Sequence, residues 1–165
     1  MSNAKRRDKA NYYLDIAQTV SERGTCLRRK FGAIIVNDDE IVSTGYAGAP
    51  RGRQNCIDLG RCLRIENNIP RGERYEMCRS VHAEANCIIS ARRRDMIGAS
   101  LYLACVDPVS GEVVPHTTSC SMCKRLIINA GIEKVYVRET ADEYSVYTVS
   151  DWIENDESLG FNPGY

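Results

Sequence analysis

The sequence predicts an α/β fold, a sandwich in which helices cover a mixed sheet. Three observations carry that reading. Apolar positions alternate along the chain between helical spacing and short strand-like runs, in the order α-β-β-α-β-α-β. Stop and turn residues fall where each segment should end. A length of 165 residues, with 43% hydrophobic and 27% charged content, suits one domain with a single core, residues 1–165.

Each element has its own signal. "DKANYYLDIAQTVSERG" puts Ala10, Tyr13, Leu14, Ala17 and Val20 on one helical face, with Gly24 as a stop. "FGAIIVNDDEIVSTGY" reads as two apolar strands around an Asn-Asp-Asp turn, a hairpin. "HAEANCIISARRR" is expected to be a helix and "SLYLACV" a buried strand, followed by a Gly- and Pro-punctuated excursion, "DPVSGEVVPHTT". "SMCKRLIINAG" is a second amphipathic helix, with Met122, Leu126, Ile127 and Ala130 inward and Gly131 at its end. "IEKVYV" follows as a strand, then a helix around Ser150 to Asn155 and a polar tail at about 156–165. The opening Met-Ser-Asn-Ala has the look of a cloning scar and takes no part in the reading.

Charge and composition exclude several functions. Lysines and arginines balance aspartates and glutamates at a formal net charge of zero. No basic field is therefore expected to draw in nucleic acid or an anionic membrane. No apolar run approaches a membrane span, and no signal-peptide core follows the basic start, so a cytoplasmic location is expected. Eight cysteines are many for such a chain. In a reducing compartment they point to metal ligands or catalytic groups before disulfides.

Two motifs carry the chemistry. In "SVHAEANCII", His82 and Glu84 stand together where a helix begins. Taken alone, a polar first turn accounts for them. In "TSCSMCKRL", Cys120 and Cys123 are spaced to share a helical face in a first turn, where the helix dipole favours thiolates. Together, His82, Cys120 and Cys123 supply three ligands and leave a fourth tetrahedral position for water, the layout of a catalytic zinc. Zinc lowers the pKa of that water toward ~7. Glu84 is then the general base that takes its proton and the acid that returns it. Positions i and i+2 splay apart in a regular helix, so the pair works only at an irregular opening turn. Backbone N–H groups there are free to grip a substrate carbonyl, which makes Ala83 and Ser119 substrate-binding candidates. The pairing resembles the signature of the zinc nucleobase deaminases.

The resemblance extends further. "TCLRRKFGAIIV", "STGYAGAP", "VHAEANCII" and "MCKRLIINAGIEKVYV" are together similar to the deoxycytidylate deaminase family, in order and over roughly residues 10–138. The resemblance implies a three-layer α-β-α sandwich with a mixed five-stranded sheet, of the cytidine deaminase type. It implies zinc-dependent deamination of dCMP to dUMP and ammonia, supplying dUMP for thymidylate synthesis. It also implies a dimer or hexamer, with dCTP and dTTP as effectors. Arg28 and Arg79 match basic positions that would hold the 5′-phosphate. The chain departs from the family in three places. Ala47 stands where an Asn usually contacts the nucleotide, Ser119 where a Pro precedes the first cysteine, and the excursion 106–118 is longer than the usual link. Ala47 and the excursion bear on substrate selectivity and nucleotide regulation, not on deamination. A second reading is therefore a deaminase of another cytosine nucleotide, nucleoside or modified pyrimidine. A third, a catalytically idle zinc or nucleotide-binding module, is disfavoured by the retention of Glu84.

Residues 47–81 form a long stretch with little pattern, unusual in a compact domain unless something pins it. Cys56, Cys62 and Cys78 lie in it, and Cys26 is expected to approach them from the end of the first helix. Some phage and bacterial members of the resembled family carry a second, structural zinc in this region, and Cys26 and Cys56 match its ligand positions. Four thiolates would make a closed site; otherwise these cysteines are small buried hydrophobes. Cys87 and Cys105 are expected in the core.

Overall fold

The structure, a computed structural model, describes residues 5–156. The opening Met-Ser-Asn-Ala and all but Asp156 of the polar tail lie outside the described residues.

Strands β1 (Lys30–Asn37), β2 (Glu40–Tyr46), β3 (Ser100–Val106), β4 (Lys134–Arg138) and β5 (Tyr144–Thr148) form one sheet in the order β2-β1-β3-β4-β5. Only β3 and β4 run parallel; the other neighbours are antiparallel. The β1–β2 turn is the expected one. Asp38 and Asp39 both take positive φ, 48° and 66°, as a two-residue turn matched to strand twist requires.

Because side chains alternate across a strand, the sheet buries two different faces. Ile34, Val36, Tyr102 and Ala104 point to one side and meet Tyr13, Leu14 and Ala17 of helix α1 (Lys9–Ser21). Ala33, Ile35, Leu101, Leu103, Val135 and Val137 point to the other. There they meet α4 (Ala83–Ile89), α6 (Ser121–Ala130) and α7 (Val149–Asn155) through Ala83, Cys87, Ile127, Ala130, Val149 and Trp152. The result is the expected three-layer α-β-α sandwich. Cys87 and Cys105 are fully buried in it, as anticipated.

Three local expectations are corrected. The helix expected over "HAEANCIISARRR" stops at Ile89, where the Ser90 hydroxyl donates to the Asn86 carbonyl, and a separate turn, α5 (Arg93–Met96), follows. Met122 and Leu126 are 38% and 43% exposed rather than inward. The buried stripe of α6 is Cys123, Ile127 and Ala130, rotated by one residue so that Cys123 faces the interior. β5 was not among the elements read from sequence; its residues alternate between exposed and half-buried along a sheet edge, so no apolar run marks it.

Two glycines let helices lie directly on the sheet. A Cβ on Gly32 would strike the Ala17 and Ser21 backbone of α1, and one on Gly45 would strike the Ala83 carbonyl and the Cys87 amide of α4. Gly45 therefore sets the height of α4, which carries Glu84. Gly45→Ala should lower stability by about 1–3 kcal/mol, the usual cost of overpacking, read as a shift in urea midpoint. Because the displaced element carries the site, zinc retention should fall with it. An unchanged midpoint would show that α4 does not depend on this close approach.

Candidate metal and active site

The site lies at the end of the sheet where β1 begins and β2 and β3 finish. Lys30 pairs with Val106 and Gly32 with Tyr46, so the segments flanking those residues are brought to one edge. The long 47–81 segment leaves there and returns there. Its neck is closed by a bridge between Gly48 and Val81, with N–H to O distances of 3.1 and 2.7 Å. His82 comes immediately after the bridge. Two short helices, α2 (Cys56–Leu59) and α3 (Leu63–Glu66), and a 3-10 turn at Tyr75–Met77 give the segment its body.

His82 is the N-cap of α4 and Cys120 the N-cap of α6, both with extended backbone. The chain turns helical only after each of them. That change of conformation lets His82 and Glu84, two residues apart, reach one site, as the sequence requires. The His82 Nδ1 lies 3.4 Å from the Sγ of Cys120 and 3.4 Å from that of Cys123. All three ligand atoms fall within 4.8 Å of one another. Zinc–sulfur and zinc–nitrogen bonds of ordinary length at a tetrahedral angle would separate S and N by about 3.6 Å. The donor set and its spacing fit zinc.

The electrostatics say the same. Burial works to lower the pKa of His82, but hydrogen bonds with Cys120 and Cys78 and the charge of Glu84 outweigh it and push the value up to about 10. The Cys123 thiol hydrogen-bonds to Cys120 and holds it well below the ordinary thiol range, while Cys123 itself is raised. Without metal, these donors share protons around a centre that favours positive charge. Glu84 is 4% exposed. Burial raises its pKa, with the charge of His82 opposing.

A cavity of about 650 Å³ opens onto these groups. Arg28, Arg79, Ala83 and Ser119, the candidates for substrate contact, all line it, and so does Ala47. The Arg79 Nε donates to the Gln54 carbonyl at 2.6 Å, which fixes one end of its guanidinium. Cys26, Cys56, Cys62 and Cys78 line the same cavity. Burial, and after it the three neighbouring thiols, push the Cys56 thiol up, yet among the described residues the four do not form a group at ligand distance. Cys78 is instead drawn toward His82, and the bond with that ring brings its pKa down against the effect of burial.

Sequence reasoning missed Arg64, Tyr75 and Thr117. Tyr75 stands edge-on to the His82 ring, centroids 5.1 Å apart, and the Arg64 guanidinium lies 4.4 Å over Tyr75. Arg64 is buried and donates to the Pro70 and Glu73 carbonyls. These residues sit in segments without periodicity, so no pattern in the sequence points to them.

Residues 7–139 match the family described as "Cytidine and deoxycytidylate deaminase zinc-binding region". A deoxycytidylate deaminase of Mycobacterium phage D29 is 36% identical over 140 residues, 82% of this chain and 98% of that protein. One from Schizosaccharomyces pombe is 29% identical over 140 residues, 85% of this chain but 39% of its own length, so the chain spans about two fifths of that relative. The solved structure of the dCMP deaminase from cyanophage S-TIM5 with dCMP and dUMP has a TM-score of 0.56 at 23% identity, covering 94% of this chain and 95% of that one. That likeness is one of fold.

Metal ligands must be deprotonated to bind, whereas His82 and Cys123 both have raised pKa values without metal. Adding zinc to the metal-free chain near pH 7 should therefore release protons, read with an indicator in weak buffer. Affinity should fall as the pH is lowered, because protons then compete more strongly with zinc for the His82 and Cys123 donors. Cys123→Ser should lower the zinc content by one equivalent per chain. Zinc uptake without proton release would show that other groups bind it.

Proposed function

The chain belongs to the cytidine and deoxycytidylate deaminase family, and on that premise we propose that it hydrolyses dCMP to dUMP and ammonia. The observation that carries the reading is Glu84: a buried carboxyl beside the His-Cys-Cys donors but not among them. A zinc held only for structure has no use for such a group. His82, Cys120 and Cys123 would hold the ion, which as a Lewis acid lowers the pKa of water toward ~7. Glu84 accepts a proton from the water that adds at C4 of the pyrimidine. It passes that proton to the ring nitrogen, then takes the second proton from the new C4 hydroxyl and passes it to the amine, so that the C4–N bond breaks, ammonia leaves and the carbonyl forms. The raised pKa of its buried carboxyl suits a group that must hold a proton between these transfers.

An anionic substrate is supported by the lining of the cavity. Arg28, Arg29, Arg64, Arg71 and Arg79 face it, against Glu84 as the one carboxylate of the lining among the described residues. We assign the 5′-phosphate to Arg28 and Arg79. Ala47 favours a second reading, deamination of another cytosine nucleotide, since it puts a methyl group on the cavity wall where the family usually has an amide. Further assignments go with the first reading. Cys26, Cys56, Cys62 and Cys78 hold a structural zinc once drawn together, on the ground that four thiols face one space. The chain forms a homo-oligomer, for which the exposed Ile89, Met122 and Leu126 supply apolar surface, and dCTP or dTTP regulates it. A cytoplasmic location is supported by eight free cysteines. No helix among the described residues is long and apolar enough to cross a membrane.

Ammonia release from dCMP, CMP, dCTP, deoxycytidine and cytosine decides the substrate, with dCMP expected to lead. Glu84→Gln should cut turnover by ~10²–10⁴-fold while total zinc, two equivalents if the four-cysteine site is filled, stays at the wild-type level. A variant that keeps a near-normal rate would remove Glu84 from the chemistry.

A further inference from the structure

Thr117 and Ser119 are each 2% exposed; the Ser119 hydroxyl faces the Glu84 carboxyl, whereas the Thr117 hydroxyl has no hydrogen-bond partner among the described residues. Both line the cavity that contains Glu84. A buried hydroxyl without a partner costs stability and calls for an explanation. The backbone around them supplies one, because it is built to hold Thr117 where it is. The excursion first folds back on β3, with Val113 bridged to Val106 and the Val114 N–H donating to the Cys105 carbonyl at 2.9 Å. Asp107 closes the turn by accepting from the amides of Val109 and Ser110. Farther on, the Glu139 carboxylate accepts from the His116 amide at 2.6 Å and from the Ser145 hydroxyl at 2.8 Å. His116 takes a left-handed φ of 55°, rare for a histidine, and the chain then turns from exposed His116 to buried Thr117.

We infer that Thr117 is a specificity-determining residue whose hydroxyl binds the neutral hydrogen-bonding edge of the pyrimidine ring. The inference rests on the deaminase reading and deepens it. A hydroxyl both donates and accepts, so it suits the amide-like edge of a pyrimidine, whereas the arginines of the cavity suit its phosphate. Position agrees: Thr117 stands two residues before Ser119, which adjoins Cys120, and all three line the cavity together with Glu84. The Thr117 hydroxyl therefore lies at the reacting end of the cavity. Its hydrogen bond is completed by substrate, and its cost is carried by the empty protein.

That division gives a test with two opposite signs. Thr117→Val keeps shape and removes the hydroxyl. It should lower kcat/KM for dCMP and weaken dUMP binding by roughly tenfold to a hundredfold, the consequence of leaving a substrate polar atom unpaired. The same variant, free of ligand, should melt at the same temperature as wild type or higher, because it no longer buries an unpartnered hydroxyl. Competitive inhibition by inorganic phosphate should not change, whereas Arg28→Ala should weaken it. Thr117→Ser should restore most of the lost activity. The inference is overturned if wild type deaminates dCMP and Thr117→Val does so equally well. It is also overturned if the variant melts lower without ligand, which would give the hydroxyl a structural role. A wild type inactive on all five substrates, with sound zinc content, would overturn the deaminase reading itself.

Discussion

Everything at this site depends on holding two helix openings face to face. His82 and Cys120 cap α4 and α6, and their side chains meet only because neither helix begins before those residues. Polar groups buried this deeply are costly unless each has a partner. In the metal-free chain the partners are protons and one another, which is why His82 and Cys123 are raised and Cys120 is lowered. A dication answers all three demands at once. The scaffold keeps the openings at the spacing a metal needs. Gly45 lets α4 rest on the sheet, Gly131 ends α6 in a left-handed turn, and Lys124 on α6 pairs with Asp156 while lying over the Trp152 ring of α7.

Around this centre the cavity wall is largely loop, and its order comes from hydrogen bonds rather than from a core. Arg64 shows how. Its guanidinium takes two carbonyls of the 70–73 turn and covers Tyr75, whose edge meets His82. One buried cation thus links the body of the 47–81 segment to His82, a candidate metal ligand. The segment is long, but the Gly48–Val81 bridge closes its neck, so its ends cost little to hold. The pinning that such a segment requires is supplied by backbone pairing and Arg64, before any thiol needs to bind metal.

The parts legible in sequence share a physical trait: their meaning depends on spacing along a regular element. His82, Glu84, Cys120 and Cys123 are visible because ligands on short local segments leave a fixed interval. The α1 face and the Asp38–Asp39 turn are visible because burial or φ constrains residue type at set positions. The edge strand β5 has no such constraint, since only one of its faces is even half covered. Met122 and Leu126 mislead for a related reason. Apolar residues mark a helical face only when burial is their sole role, and on α6 the need to turn Cys123 inward rotates them outward. Arg64 and Thr117 owe their burial to contacts far along the chain, which no local pattern records.

Chemistry and recognition therefore sit on different kinds of backbone. The candidate donors His82 and Cys120 occupy helix openings, where the backbone geometry of an N-cap limits their variation. Much of the remaining cavity wall comes from the 47–81 segment and the 106–118 excursion, each anchored at both ends. The excursion is tied to β3 upstream, through Val113 and Val114, and to Glu139 just before Thr117. The donor set remains intact although the chain departs from the family pattern at Ala47, at Ser119 and in the excursion, because these positions line the cavity and none of them supplies a donor atom to the His82–Cys120–Cys123 group.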